Sequence, residues 1–252
     1  MAVEIVLGFA VGGTALYVGW RRIRAYGEYW RYNHQADAFE KAMKIAREDL
    51  SADRVIRAAN ETDGELVEMI DSAVIEKKAI EACGFTLLGD TVVDVPDRRP
   101  HAIVRVFVDK ERTTCAHLSV WANHPRRRFL ELVTYRDDDR YTTRRSKQGT
   151  LAEAPFAHRL SLANDAPYSK VVEEHRKNVP ADGAQKIATL DDAVAQLAKF
   201  REKTVAWRGS KSPDELLDLD LRGVLGDKYE KLGKLWTRRL RERLPEATLR
   251  RN

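Results

Sequence analysis

The chain has 252 residues, of which 43% are hydrophobic and 33% charged, and its formal net charge is +5. This balance excludes an intrinsically disordered chain, and the length is sufficient for one large domain with a helical appendage. Only two cysteines, Cys83 and Cys115, are present. The sequence therefore excludes a disulfide scaffold and agrees with a reducing compartment.

An apolar segment opens the chain and runs from Ala2 to Trp20, with Glu4 as its only charged side chain. As a helix it would be about 28 Å long, which is close to the hydrocarbon thickness of a bilayer. Arginines follow it directly, so the positive-inside rule predicts a single-pass membrane anchor whose C-terminal side lies in the cytoplasm. The expected membrane-interface residues are Trp20, Arg21, Arg22, Arg24, Tyr26 and Trp30.

Two other interpretations of this apolar segment stay open. A cleaved secretory signal would normally carry its basic residues before the apolar run, whereas here they follow it. A buried core helix is usually shorter and interrupted by polar residues. Within an anchor, Gly8 and Gly12 would either let two copies pack closely as a homodimer or serve simply as small apolar positions.

Helical periodicity continues after the anchor and juxtamembrane segment, which we place at 1–32. Residues 35–50 carry apolar side chains on one face and are expected to form an amphipathic stalk, followed by a short helix or turn at 51–59. Capping-box spacing at 62–65 then starts a helix that ends at Gly84. We therefore predict a helical region over 33–83.

The hydrophobic period changes to two after Gly84, which is typical of strands rich in Val, Thr, Phe and Tyr. Short polar connections favour antiparallel hairpins over crossovers. We predict an α+β fold in which 84–147 form an antiparallel meander of about five strands flanked by helices. The predicted strands are 85–95, 101–109, 113–122, 128–135 and 140–145.

The remaining region, 148–252, is predicted to be a loop followed by helices that pack on the sheet. The stretch 148–167 is irregular, and helices are expected at 167–178 and 189–206. Ser212 followed by Pro213 is a strong helix-start signal, so a further helix is expected toward Leu244.

Four side chains are the candidate acid–base or nucleophilic groups: Cys115, His117, His158 and His175. Cys115 and His117 lie two apart on a predicted strand and would share one face, which permits a thiolate–imidazole pair or a half-buried structural face. No two histidines have the helical spacing of a metal pair, and no phosphate-binding loop or calcium loop is found. We therefore predict neither a metal nor a cofactor.

The C-terminal region is strongly basic, because residues 227–252 carry nine Lys and Arg against four Asp and Glu. An apolar stripe with Trp236 at its centre accompanies these charges, so the helix would lie on an anionic membrane surface or pack on the domain with its basic face in solvent. No RNA-binding signature or helix-turn-helix is visible, so nucleic acid is not an expected partner. The candidate headgroup-binding residues are Lys231, Lys234, Arg238, Arg239 and Arg241.

Three short stretches, 129–135, Tyr141-Thr142-Thr143 and 171–176, carry a resemblance to a known group. Together they resemble uncharacterised bacterial membrane-anchored proteins, which have a strand, an acidic turn, a strand ending in threonines and a helix with a Glu/His/Arg polar end. Arg144-Arg145 departs from the neutral polar residues of that group. The resemblance implies no activity.

These observations predict a membrane-anchored, non-enzymatic interaction or scaffold module with a cytoplasmic α+β domain. Its expected partners are the lipid bilayer, through anionic headgroups, and a protein in or at the membrane. The alternative is a membrane-tethered enzyme that uses Cys and His groups on the sheet face.

Overall fold

The computed structural model describes residues 55–94, 102–122, 124–145, 153–180 and 182–225, together with four residues between 229 and 237. These residues form a seven-stranded mixed sheet with packed helices, which confirms the predicted α+β fold. The predicted anchor and stalk lie outside the described residues. Within the described part, no helix has the length and apolar character needed to cross a membrane.

The strands follow one another in the sheet in chain order. Each pairs antiparallel with the next, except that the last two are parallel. The strands are β1 (Val55–Ala58), β2 (Thr86–Asp94), β3 (Ala102–Val108), β4 (Thr114–Trp121), β5 (His124–Arg136), β6 (Asp139–Arg145) and β7 (Ala157–Leu162). The helices are α1 (Gly64–Asp71), α2 (Val74–Ala82), α3 (Tyr168–Asn178), α4 (Leu190–Gly209) and α5 (Pro213–Leu225).

The five predicted strands correspond to β2–β6, but the sheet has two more. Residues 51–59 were expected to form a helix or turn, and this is wrong for Val55–Ala58, which form β1. A strand of four residues is too short to show a period of two, and β1 is held by its pairing with β2 and by ion pairs of Arg57 with Asp63 and Asp94. The strand β7 lies in the stretch expected to be irregular, because it is short and rich in polar side chains and takes its position through parallel pairing with β6.

The helices agree with the predicted positions, with two differences. The capping box expected at 62–65 is wrong, because Asn60 and Asp63 form it instead, at the short 3-10 helix Glu61–Asp63 that precedes α1. The single helix expected before Gly84 is divided into α1 and α2, since the chain turns at Ser72 and buries Ala73, which is 1% exposed. The start signal at Ser212 is confirmed, because its Oγ accepts a hydrogen bond from the Glu215 backbone at 3.2 Å. Most of the predicted continuation of this helix toward Leu244 lies outside the described residues.

The two faces of the sheet have different surroundings. On the first face, apolar side chains such as Phe107 and Leu118 pack against α1, α2 and α3. On the second face, Val133 and Tyr135 pack against α4, where the Phe200 ring lies 5.2 Å from the Tyr135 ring. This apolar contact covers only part of the second face, and the remainder, over β4–β7, carries polar and charged side chains.

Candidate functional site

The four candidate groups from the sequence lie on opposite faces of the sheet. Cys115 and His117 share the second face of β4, as their spacing predicts. His175 lies on α3 at the first face, where its ring contacts Thr134 and Thr143, and His158 stacks on Tyr141 at 4.6 Å. No hydrogen bond between described residues joins any two of the four.

The Cys115 and His117 side chains are both buried in forms that suit packing better than reaction. Burial, helped by the negative charge of Asp109, raises the pKa of the Cys115 thiol to about 12. Burial also lowers the pKa of His117 to about 4, and the nearby charge of Arg140 adds to this effect. At neutral pH the thiol is therefore protonated and the imidazole is uncharged, so a thiolate–imidazolium pair does not form.

A group of polar side chains surrounds His117 on the second face. Strand register places His117 opposite Glu131, and Glu131 opposite Arg144 on β6. Because opposite residues of neighbouring strands share a face, these side chains lie side by side. We name the whole group the sheet-face cluster; its members are His117, Glu131, Tyr135, Arg140, Arg144, Glu153 and Arg159.

Ion pairs connect the members of the sheet-face cluster. Arg140 Nη2 lies 3.5 Å from Glu131 Oε2, and Arg159 forms an ion pair with Glu153. The third guanidinium, that of Arg144, donates from Nε to Ser161 Oγ at 3.4 Å. The ion-paired side chains are about one quarter exposed, with 26% for Arg140 and 23% for Arg159, so the cluster is partly open to solvent.

The ionisable groups of the cluster influence one another. Burial would raise the pKa of Glu131, but the positive charges of Arg140 and Arg159 outweigh it and hold this pKa below its usual range. Burial raises the pKa of Glu153 despite its arginine neighbours, and burial together with the charge of Arg159 lowers the pKa of Arg144. The potential at Glu131 is therefore positive, because three guanidinium groups lie around it.

Several buried atoms of the cluster lack a hydrogen-bond partner within the described part of the chain. They are His117 Nε2, Tyr135 Oη, Arg140 Nε and Arg159 Nε, which are four of the six such side-chain atoms there. An unsatisfied buried polar group costs about 1–3 kcal/mol, and nearly all such groups in folded proteins are paired with protein, water or a ligand. Their concentration on one sheet face marks this cluster as the candidate functional site.

Sequence reasoning identified His117 as a candidate and noted Arg144 only as a departure from the resembled group, but it missed Arg140, Arg159 and the two glutamates. The available signal was the placement of Glu131, Arg140 and Arg144 at inward positions of predicted strands, where charged residues are uncommon. Arg159 gave no such signal, because its strand was not predicted. The described residues contain no group of three or more His, Cys, Asp or Glu side chains that could hold a metal ion.

The other predicted site residues lie outside the described residues. This applies to the membrane-interface set, Trp20, Arg21, Arg22, Arg24, Tyr26 and Trp30. It also applies to the headgroup-binding set, Lys231, Lys234, Arg238, Arg239 and Arg241, and to the glycine pair of the proposed homodimer. These assignments stay predictions.

Comparison with known proteins assigns no function to the sheet-face cluster. The resemblance to bacterial membrane-anchored proteins stays a prediction. No protein-family model, curated protein or solved structure was found to match the chain.

Proposed function

We propose that this chain is a membrane-anchored, non-enzymatic binding protein whose α+β domain captures the oxyanion of a ligand at the sheet-face cluster. The observation that carries this proposal is the set of unpartnered buried atoms on one face, above all Arg140 Nε and Arg159 Nε. A site with several unsatisfied groups gains binding energy from any ligand that supplies their missing partners.

The chemistry of these atoms favours an oxyanion. A guanidinium Nε–H can only donate, and its planar geometry suits the oxygens of carboxylate and phosphate groups. The Tyr135 hydroxyl is a further donor, and the neutral His117 imidazole donates from Nε2 in one of its tautomers. Charge-assisted hydrogen bonds of this kind are about twice as strong as neutral ones, so two arginines supply most of the affinity.

The pKa values of the buried Cys115 and His117 side chains favour binding over catalysis. An acid–base catalyst works best with a pKa near the operating pH, whereas Cys115 and His117 have pKa values of about 12 and about 4. The enzyme alternative would require these two groups to react, and their buried environment opposes that.

The membrane part of the proposal is supported by the sequence. The apolar segment from Ala2 to Trp20 and the arginines after it would place the domain on the cytoplasmic side. The oxyanion would then belong either to a lipid headgroup or to a free small molecule. The basic sequence of the C-terminal region also supports its contact with lipid headgroups. A protein partner at the membrane is proposed because the predicted anchor would hold the domain there.

Calorimetric titration of the full-length protein with phosphate, sulfate and acetate tests oxyanion binding. We expect saturable binding that weakens about tenfold in Arg159→Gln and less in Tyr135→Phe, which removes one oxygen and keeps the ring. Arg176→Gln, an exposed arginine on α3, is the matched control and should bind normally. Absence of saturable binding, or unchanged affinity in a folded Arg159→Gln protein, would overturn the proposal.

Two further measurements separate the source of the ligand and test the anchor. Flotation with vesicles that contain anionic lipid, with and without competing free phosphate, distinguishes a headgroup from a soluble anion. Alkaline carbonate extraction should leave the full-length protein in membranes and release a version that lacks residues 1–32. Release of both proteins would remove the membrane premise.

A further inference from the structure

The carboxylate of Glu131 lies at the centre of the sheet-face cluster and is under-used as a hydrogen-bond acceptor. Its single hydrogen bond with a described residue is the 3.5 Å contact from Arg140 Nη2. A carboxylate has about four lone-pair positions, so most of its accepting capacity is left over. The register places this group between His117 and Arg144, in the middle of the cluster.

Other carboxylates in ion pairs of this domain are bonded much more fully. Asp90 accepts two hydrogen bonds from Arg105, both at 2.8 Å, and Asp220 accepts two from Arg208, at 3.1 and 2.8 Å. These are two-point pairs of the kind that stabilise a fold. Glu131 has no such pair, so its geometry differs from that of a structural carboxylate.

We infer that the ligand of the sheet-face cluster is a hydroxylated organic anion, whose oxyanion is held by Arg140 and Arg159 and whose neighbouring hydroxyl donates to Glu131. This inference rests on the proposed oxyanion binding and adds the ligand's hydroxyl group to it. Donors and acceptors stand side by side in the cluster, so a ligand with both functions uses more of the site than a simple anion does.

An uncharged donor fits this place better than an ammonium group. The guanidinium groups of Arg140, Arg144 and Arg159 surround Glu131 and together lower its pKa. An ammonium group would be a fourth cation beside them and would be repelled, and the repulsion is strong because the site is partly desolvated. A hydroxyl group donates an equivalent hydrogen bond without that cost.

A site that hydrogen-bonds a ligand hydroxyl discriminates strongly against the analogue that lacks it. The analogue forces Glu131 to lose contact with water without gaining a partner, which is the expensive outcome for a carboxylate. We therefore expect a hydroxylated anion to bind about tenfold or more tightly than its plain counterpart.

Calorimetric titration of the full-length protein with two matched pairs of probes tests this inference. Glycolate is compared with acetate, and 2-hydroxyethyl phosphate with ethyl phosphate, so that each pair differs by one hydroxyl. Glycine serves as the ammonium analogue. In the wild-type protein we expect the hydroxylated member of at least one pair to bind about tenfold more tightly than its counterpart, and glycine to bind more weakly than glycolate.

The variant Glu131→Met removes the acceptor and keeps the length of the side chain. It should abolish the preference for the hydroxylated probe, while plain anions bind more tightly than to the wild-type protein, because Arg140 loses its competing carboxylate. A merely structural role for Glu131 would instead weaken all probes together. Glu173→Met, on the exposed side of α3, is the matched control and should keep the preference.

The possible results distinguish a failure of the hydroxyl assignment from a failure of the proposed oxyanion binding. Equal binding of hydroxylated and plain anions overturns the hydroxyl assignment and leaves oxyanion binding intact. Tighter binding of glycine than of glycolate overturns it in favour of an ammonium donor. A preference that persists in folded Glu131→Met overturns the role of this residue, and absence of binding by every probe overturns both proposals.

Discussion

The imidazole Nε2 of His175 on α3 lies 3.0 Å from Oγ1 of Thr134 on β5. The other ring nitrogen, Nδ1, lies 2.9 Å from Oγ1 of Thr143 on β6, and the histidine is 2% exposed. Both polar atoms of a buried ring are therefore satisfied by the sheet. This histidine connects α3 to two strands and has a structural role, although the sequence presented it as a candidate reactive group.

Replacement of His175 by alanine should destabilise the domain by about 3 kcal/mol. The change removes two buried hydrogen bonds and leaves a cavity between α3 and the sheet. Urea unfolding followed by circular dichroism measures the free energy of unfolding. His158→Ala is the control, since the His158 side chain is 46% exposed and loses only its stacking on Tyr141, which should cost about 1 kcal/mol or less. Equal costs for the two variants would contradict the structural role of His175.

Stability should fall as the pH is lowered from about 6.5 toward 4. Burial lowers the pKa of both His117 and His175 from 6.5 to about 4, so within this interval the unfolded chain binds more protons than the folded one. Their contribution is complete above the unfolded pKa and is lost as the pH falls toward the folded pKa. Each histidine contributes on the order of 3 kcal/mol across the full interval.

Urea unfolding between about pH 7 and pH 5 measures this dependence. A variant that carries both His117→Gln and His175→Gln should show a clearly smaller loss of stability over the same range. An unchanged slope in the double variant would show that carboxylates rather than the buried histidines govern the acid sensitivity.

Cys115 should be inert to alkylation in the folded protein. Its side chain is fully buried, and burial raises its pKa to about 12, so almost no thiolate is present at pH 8. Cys83 is less buried, although burial raises its pKa as well. Peptide mass spectrometry after iodoacetamide treatment should find label on Cys83 first and on Cys115 only after unfolding. Rapid labelling of native Cys115 would instead support the enzyme alternative.

Gly89 should not tolerate a side chain. Its φ of +152° lies in a region that L residues rarely adopt, at a register shift in the pairing of β2 with β3. An added Cβ would also lie 2.9 Å from Leu190 Cδ2 at the start of α4. Since the leucine side chain can move, the backbone strain dominates, and Gly89→Ala should cost about 2 kcal/mol in urea unfolding.

A second glycine gives the matched control for this experiment. Gly64 has a helical φ of −49°, and a Cβ there would meet nothing within 4 Å. Gly64→Ala should therefore stabilise the domain by about 0.5 kcal/mol, because alanine has less conformational freedom in the unfolded chain. A similar loss in both variants would contradict the special backbone requirement at Gly89.

Much of the secondary structure was predictable because its signals are local. The change of hydrophobic period after Gly84 predicted β2–β6, and the signal at Ser212 predicted the start of α5. Hydrophobic alternation is imposed by the pleat itself, so it appears in the sequence wherever a strand is half-buried over several residues. The strands β1 and β7 were not predicted, because both are short and neither shows a clear alternation of apolar and polar side chains.

Only part of the candidate site could be predicted from the sequence, because its residues come from strands that are distant along the chain. Spacing correctly placed Cys115 and His117 on one face, since residues two apart on a strand always share it. The grouping of these two residues with His158 and His175 could not be judged, because sequence spacing does not report which face of the sheet a distant helix covers. The arginines of the sheet-face cluster come from β6 and β7, far along the chain from His117.

The sequence by itself determined the α+β class, most strand and helix positions and the shared face of Cys115 and His117. All of these depend on backbone periodicity and capping, which act over a few residues. Only the tertiary structure decided that His175 ties α3 to the sheet and that Glu131, Arg140 and Arg159 gather around His117. Those relationships depend on strand register and helix packing, through which residues distant along the chain are buried together and acquire their charges and hydrogen bonds.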